Sequence, residues 1–495
     1  MTDYILAIDQ GTTSTKVSLI DPFLSVIASA SHELPQIYPR PGWVEHDPAI
    51  ILKTTYDSIK AVLQKAGLDP HRIAVIGITN QRETTILWDR RTGKPVYNAI
   101  VWQCKRTNHI VEKLKERGYE KMFKSKTGLV LDPYFSATKI MWLINTIPGL
   151  RTMAQRGEVA FGTVDSWLLW HLTAGAIHAT DVSNASRTLL FNIKEMKWDD
   201  GLLRITGIPK YIMPEVRPTA GTFGYTKDLG FLPDNIPIGG VVGDQQSALF
   251  GQACFEAGTV KATYGTGSFV LFNTSDRPIL SKHGLLTTVA WQVKNRVTYA
   301  LEGSALISGA AVQWARDGLG IINRSEDIEV LASSVQDSGG VVFVPSLSGL
   351  GAPFWRPDAR GMITGITRGT TKAHIARAIL EGIALQEYTL LEAMKEDTGQ
   401  RISALKVDGG ASKDNLLMQF QSDILGIPVV RPQNIETTSL GAAMFAGLHA
   451  GIWKDLRELR KRWKEDRKFS PVMPVAQRRG FLSRWNTTVK RLLVA

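Results

Sequence analysis

The chain has 495 residues, 44% hydrophobic and 21% charged, with a formal net charge of +12. It is too long for one hydrophobic core, so two large domains are expected, of ordinary soluble globular composition and with no apolar run of membrane-spanning length. The positive charge does not by itself indicate a nucleic-acid partner, because residues 451–495 hold 13 Lys and Arg against 4 Asp and Glu, about three quarters of the whole excess.

Met1-Thr2-Asp3-Tyr4 runs directly into a strand-like segment, which leaves no room for a signal peptide. Residues 5–20, ILAIDQGTTSTKVSLI, read as an apolar strand, a Gly/Thr/Ser turn and an alternating second strand. Glycine in such a turn lets backbone N–H groups converge on an anion, and the hydroxyls add donors. Asp9 ends the first strand and sets a carboxylate beside that anion site, where a phosphate-bound Mg²⁺ would lie. Asp47-Pro48 opens a helix as N-cap and first-turn residue, with Ile51, Ile59, Val62 and Leu63 on its apolar side and Gly67 closing it. Residues 73–78 form a β-branched run that delivers Arg82-Glu83, and Ile86-Leu87-Trp88 leaves them. Adjacent Arg and Glu supply donors and acceptors in one place, although a structural ion pair at a strand end is the plainer reading. Cys104 and Cys254 have neither metal nor disulfide spacing, which suits a reducing cytoplasm.

Further along, VVGDQQSALFG carries a strand into a helix start at Asp244 and Gln245. Asp244 reads there either as a helix cap or as a general base. The expected domain break follows, giving residues 1–251 and 252–495. Residues 260–272, VKATYGTGSFVLF, repeat the plan of residues 5–20, so a duplicated unit with two turns facing across a cleft is expected. A helix is predicted after Thr371, through Ile375, Ile379, Ile383 and Leu390-Leu391. A short strand ends at Asp408, and Gly409-Gly410 permit the close backbone approach that a flat adenine needs, though such a pair is commonly structural. In the basic C-terminal segment, Leu456, Leu459 and Trp463 are at helical spacing and predict a docked helix with a solvated basic face, rather than a nucleic-acid or membrane surface. Strands alternating with amphipathic helices make the class α/β. The GxxxxGK[ST] loop, HRD, DFG and a strand-linked GxGxxG are all absent, so a nucleotide would be held by the paired hairpins.

Taken together, the segments IDQGTTS, TNQRETT, NAIVWQCKRT, DPYFSATK, FGTVDSW, NASRT, GDQQ, TYGTGSF, GLGAPFWRPDARG and DGGAS resemble the glycerol kinases, among the carbohydrate kinases of the actin-like ATPase superfamily. The resemblance runs in unbroken order over residues 4–450 and fades past about 455. It implies two ribonuclease-H-like domains facing across a catalytic cleft, with glycerol on the first and adenine held mostly by the second. Carried over residue by residue, it implies glycerol contacts from Arg82, Glu83, Tyr134, Asp244 and Gln245, with Trp102 and Phe269 as apolar walls. It implies nucleotide contacts from Thr12, Thr13, Ser14, Lys16, Thr266, Gly309, Gln313, Gly410 and Asp414, and Mg²⁺ between the phosphates, Asp9 and Asp244.

Three departures from that pattern stand out. Lys16 occupies a position where Arg is common, which turns a forked phosphate contact into a point charge. Asp414, followed by Asn415, stands where an Asn near the adenine is usual. Residues 226–237 lack both the Gly/Arg-rich loop of sugar-phosphate-inhibited relatives and the phosphorylatable His of others. The implied reaction is ATP-dependent phosphorylation of glycerol to sn-glycerol 3-phosphate, with Asp244 as general base. A kinase for another small polyol or ketose, or a nucleotide-switched actin-like binding protein, are the alternatives. The expected setting is cytoplasmic, with no nucleic-acid partner and a homo-oligomeric (dimeric or tetrameric) assembly.

Overall fold

The computed structural model describes residues 3–494. Its first sheet has five strands in the order Ile238–Gly243, Ile73–Asn80, Tyr4–Gln10, Ser14–Ile20 and Val26–Glu33. The first three run parallel, and Tyr4–Gln10, Ser14–Ile20 and Val26–Glu33 form an antiparallel meander. The second sheet repeats that plan. Val260–Tyr264 pairs antiparallel with Ser268–Ser275, which pairs with Arg296–Ala305, and on its other side Val260–Tyr264 runs parallel to Leu405–Asp408, beside Val429–Pro432. Leu286–Val293 and Glu465–Phe469 extend it to seven strands. The duplication read from the two hairpins is therefore present in the topology.

The helices follow their local signals. Pro48–Ala66 begins at Asp47, whose side chain accepts from the Ala49 N–H, and ends at Gly67 in the left-handed conformation. Its buried Ile51, Ile59, Val62 and Leu63 lie against the first sheet. Lys372–Thr398 is capped by Thr371, with His374 closing the reciprocal half of the box. The C-terminal segment holds the docked helix expected there, Leu456–Arg462, with Leu459 buried and Trp463 at its C-cap; an edge strand and a second helix, Val475–Val494, follow, which the spacing did not disclose. The longer helix docks through Phe481, Trp485, Val489 and Leu492 and through Arg478, which donates to the Ile424 and Leu425 carbonyls, while Arg479, Arg484 and Arg491 on its other faces stay exposed.

One helix of the second half belongs structurally to the first. Thr437–His449 packs across Ile73–Asn80, Tyr4–Gln10 and Ile238–Gly243. It reads as apolar all round because a sheet and the helix Asp244–Gly251 bury it on different sides. Glycines permit the approach: a Cβ on Gly77 would fall 2.3 Å from the Ala442 carbonyl oxygen, and one on Gly441 only 2.0 Å from that of Ser247.

Two predictions follow from this packing. Gly441→Ala forces the helix bearing Asp244 off its neighbour; a loss of at least about 1–3 kcal/mol is expected, the usual range for overpacking, and an unchanged Tm would contradict it. The second concerns Glu387 on Lys372–Thr398, which is fully buried, accepts from the Ser268 hydroxyl through Oε1, and has no hydrogen-bond partner for Oε2 among the described residues. Burial pushes its carboxyl up to about 7, against smaller opposing effects of Ser268 and Lys261. Between the ordinary carboxyl range near pH 4.5 and about pH 7 the unfolded chain releases a proton that the folded protein keeps, so stability falls as pH rises through that window. Glu387→Gln removes this term: the Tm difference between variant and parent should shift in the variant's favour from pH 4.5 to pH 7 and then level off. A pH-independent difference would show that Glu387 has an ordinary pKa.

Candidate active site

The three parallel strands of the first sheet end side by side. Register sets Asp9 opposite Thr79 and Asn80 opposite Gly243, so Asp9, Arg82-Glu83 and Asp244-Gln245 all emerge at one carboxyl edge. That edge is where open α/β sheets bind ligands. Asp244 is the first residue of Asp244–Gly251 and not its cap; its Oδ1 accepts from the Gln245 N–H at 2.7 Å and lies 3.2 Å from Arg82 Nε. A quarter of the Asp244 side chain stays exposed, whereas Arg82 and Glu83 are 2% and 1% exposed.

Arg82 and Glu83 are not principally each other's partners, since Arg82 Nε stands 3.7 Å from Glu83 Oε1. The Arg82 guanidinium forks onto Glu302, at 2.5 Å from Nη1 and 3.0 Å from Nη2, and also donates to Gln246 Oε1 at 3.1 Å and, at 3.4 Å, to the Tyr134 hydroxyl. Glu83 accepts from Arg187 Nε at 2.7 Å, and Arg187 Nη2 reaches Glu302 at 2.9 Å. Burial alone would raise the Glu302 carboxyl, but Arg187 and Arg82 outweigh it and hold it at about 2. Arg187 and Glu302, which the sequence reading did not select, thus fix the two residues it did. The available signal was a lone Glu inside the apolar strand Arg296–Ala305, and the Arg of NASRT.

Trp102, Tyr134 and Phe269 form the wall. Trp102 meets Tyr134 edge-on at 5.5 Å and Phe269 at 6.4 Å, and the Arg82 guanidinium lies 5.9 Å from the centre of the Phe269 ring. The indole of Trp102 donates to Thr12 Oγ1 at 2.9 Å, tying the wall to the first Gly/Thr turn. Gln245 is nearly buried, and its Oε1 accepts from Lys261 Nζ at 2.6 Å.

The two turns differ in setting. Thr12 and Thr13 lie in the first turn and Ser14 opens the strand after it; all three remain partly accessible. Lys16, opposite Asp9, is paired with Glu436 at 2.8 Å. The second turn, residues 265–267, is held from behind: Gly309 donates to the Gly265 carbonyl at 2.9 Å and Ala310 to that of Thr266 at 3.0 Å. Thr266, Gly309, Gln313, Gly410 and Asp414 line one cleft of about 520 Å³. Asp414 caps Asn415–Leu425 through Leu417 N–H at 2.8 Å, and burial pushes its carboxyl up to about 6. A second cleft, of about 480 Å³, is lined by Trp102, Tyr134 and Phe269. Thr266 lines both, so the two clefts meet at the second turn.

Asp9 is pushed up to about 7, chiefly by burial, with Asp244 and Glu436 adding and Lys16 and Ser439 opposing. Burial also raises Asp244. Among the described residues no group of three or more His, Cys, Asp or Glu is disposed as a metal cage. Two mutually repelling carboxylates fit Mg²⁺, which takes one or two carboxylates and completes its shell with phosphate and water.

Residues 4–251 match the model of the FGGY family of carbohydrate kinases, N-terminal domain, and residues 260–450 its C-terminal domain. A glycerol kinase of Bdellovibrio bacteriovorus is 55% identical over 99% of this chain and 100% of its own. Among solved structures, Plasmodium falciparum glycerol kinase with ADP superposes with a TM-score of 0.92 at 38% identity, covering 100% of this chain and 99% of that one. A ligand-bound xylulose kinase from Lactobacillus acidophilus gives 0.89 at 25% identity, covering 100% and 99%. The chain belongs to the FGGY family of carbohydrate kinases.

Glu302→Gln leaves two buried guanidinium groups short of a counter-charge. Breaking a buried pair costs about 3–5 kcal/mol, so thermal unfolding should occur several degrees lower. A variant unfolding within about one degree of the parent would mean the network is not what holds Arg82.

Proposed function

We propose that the protein transfers the γ-phosphoryl group of ATP to glycerol, giving ADP and sn-glycerol 3-phosphate. The observation that carries this reading is the meeting of two clefts at Thr266, one wide enough for a nucleotide and one walled by aromatic rings beside a charge-balanced polar cluster. Full-length likeness to glycerol kinases supports glycerol over a pentulose as acceptor. In this reading residues 1–251 bear the acceptor and phosphate groups and residues 252–495 the base pocket. With ATP as donor and two buried free cysteines, the cytoplasm is the compartment it implies.

Arg82, gripped by Glu302, donates to one glycerol hydroxyl, and Glu83, gripped by Arg187, accepts from another. The Trp102, Tyr134 and Phe269 rings exclude water from the carbon chain and limit its length. Asp244 accepts the proton of the attacking hydroxyl, its raised pKa making it a better base than an exposed aspartate. The N–H and hydroxyl donors of Thr12, Thr13, Ser14 and Thr266 take up charge on the transferring phosphoryl group, while Lys16 exchanges Glu436 for phosphate oxygen. Gly309, Gln313, Gly410 and Asp414 hold the rest of the nucleotide. Mg²⁺ held by Asp9 and Asp244 would neutralise charge on the phosphates when bound.

The test is ADP release with and without glycerol. Asp244→Asn should lower kcat by roughly 10²–10⁴ with ATP binding kept, the range for a lost general base. Arg82→Ala should raise the glycerol KM strongly and leave the ATP KM within a few-fold. Glycerol should exceed xylulose and ribulose by at least ~10² in kcat/KM, since a ketose strands hydroxyls against the aromatic wall. ADP release indifferent to glycerol, or an Asp244→Asn enzyme above half the parent rate, would sink the reading.

A further inference from the structure

Lys261 lies inside the strand Val260–Tyr264, which leads into the second turn, and is fully buried. Its Nζ donates to Gln245 Oε1 at 2.6 Å and to Thr263 Oγ1 at 2.7 Å. An ammonium has three donors and no acceptor, so the amide atom that meets it has to be oxygen. Chemistry, and not only packing, therefore sets which way the Gln245 carboxamide faces. Among the described residues none accepts from its Nε2, and the neighbouring Asp244 makes both its close contacts through Oδ1.

We infer that Lys261 is a positioning residue for phosphoryl transfer: by holding the Gln245 oxygen it presents only N–H donors to the acceptor hydroxyl. That hydroxyl can then receive a hydrogen bond from Gln245 but cannot give it one. Of the neighbouring Asp244 and Gln245, only the Asp244 carboxylate can then accept that hydroxyl's own proton. Without Lys261 the amide can turn over and offer its oxygen, which competes with Asp244 for the same proton and leaves the hydroxyl bound but misdirected. The chain of contacts continues from Thr263 toward Asp408, across the strand register, so the same ammonium stands between the acceptor side and the Gly409-Gly410 turn.

This inference rests on the reading that Gln245 touches the acceptor, and the experiment separates the two. Steady-state kinetics with glycerol and ATP, ADP calorimetry and Tm are compared for Lys261→Met, Gln245→Glu and Gln245→Ala. Gln245→Glu is nearly isosteric and keeps a partner for Lys261, but it offers the substrate only acceptors. It should lose about 10–10²-fold in kcat/KM for glycerol, mainly in kcat, and should be worse than Gln245→Ala. Lys261→Met should show a loss of similar size, with ADP affinity and ATP KM within about threefold of the parent. A purely structural Lys–Gln contact predicts the opposite order, with Gln245→Glu tolerated as an ion pair. Gln245→Glu activity equal to the parent, or above that of Gln245→Ala, overturns the inference even if Lys261→Met fails to fold. If Gln245→Ala itself leaves glycerol kinetics unchanged, Gln245 does not touch the acceptor and the site reading fails with it.

Discussion

The fork of Arg82 onto Glu302 is the contact on which the rest of the site depends. It joins residues 220 apart in sequence, with both side chains buried, and therefore ties the two halves of the chain together at the carboxyl edge of the first sheet. Taking two charges from water is costly, and the cost is recovered only when geometry is good and the remaining donors are satisfied. Here the second guanidinium, Arg187, takes the other side of Glu302 and grips Glu83. Arg82 and Glu83, the proposed acceptor contacts, are thus each held by a fully buried partner, Glu302 and Arg187. A guanidinium with free rotamers would lose entropy on every binding event, whereas one already forked has little left to lose.

A second constraint acts at backbone level. Thr437–His449 comes from the far end of the chain yet lies against the first sheet, at distances that tolerate no side chain at Gly77, Gly251 or Gly441. That close seating carries Glu436 to Lys16, Ser439 to within 3.4 Å of Asp9 Oδ2, and Thr437 to Asp408 at 2.7 Å. In the proposed reading the phosphate side draws on the first hairpin and this late helix, and the acceptor side on the segment after Ile73–Asn80, the start of the helix Asp244–Gly251 and the strand Ser268–Ser275. Seated on the first sheet, this helix reaches the second through the Thr437 hydroxyl on Asp408. The conformational coupling expected of a cleft that closes on substrate would pass through it.

What the sequence disclosed followed from how local each signal is. Asp47-Pro48, Gly67 and Thr371 act within one turn of helix, and each is found where its neighbours require it. The repeated hairpins are visible because strand, turn and strand are contiguous, and Asp9 and Asp244 because they end apolar runs. Glu302, Arg187 and Lys261 carry no such mark. Each is a charge inside buried structure, and what makes it tolerable is a partner 16 to 220 residues away. In the C-terminal segment the helical spacing of Leu456, Leu459 and Trp463 was legible, but the strand after it was not, because Glu465–Phe469 is extended by its backbone pairing with the distant edge strand Val429–Pro432.

The balance of charge around the acceptor bears on what can bind there. Arg82, Arg187 and Lys261 stand against Glu83, Glu302 and Asp244, three cations to three carboxylates, all drawn together by burial. Such a cluster offers directed donors and acceptors but almost no net field. A neutral polyol can exploit it, because every hydroxyl both gives and takes. A sugar acid or a phosphorylated sugar would bring a charge that no spare partner can meet, and would unbalance ion pairs already committed to each other. In the proposed reading phosphate charge would be met elsewhere, at the two Gly/Thr turns, Lys16 and the Asp9 side. On that reading the duplicated hairpins set an anion-binding frame, and the choice of acceptor falls to the side chains around Arg82, Glu83 and Asp244 and the aromatic rings of Trp102, Tyr134 and Phe269.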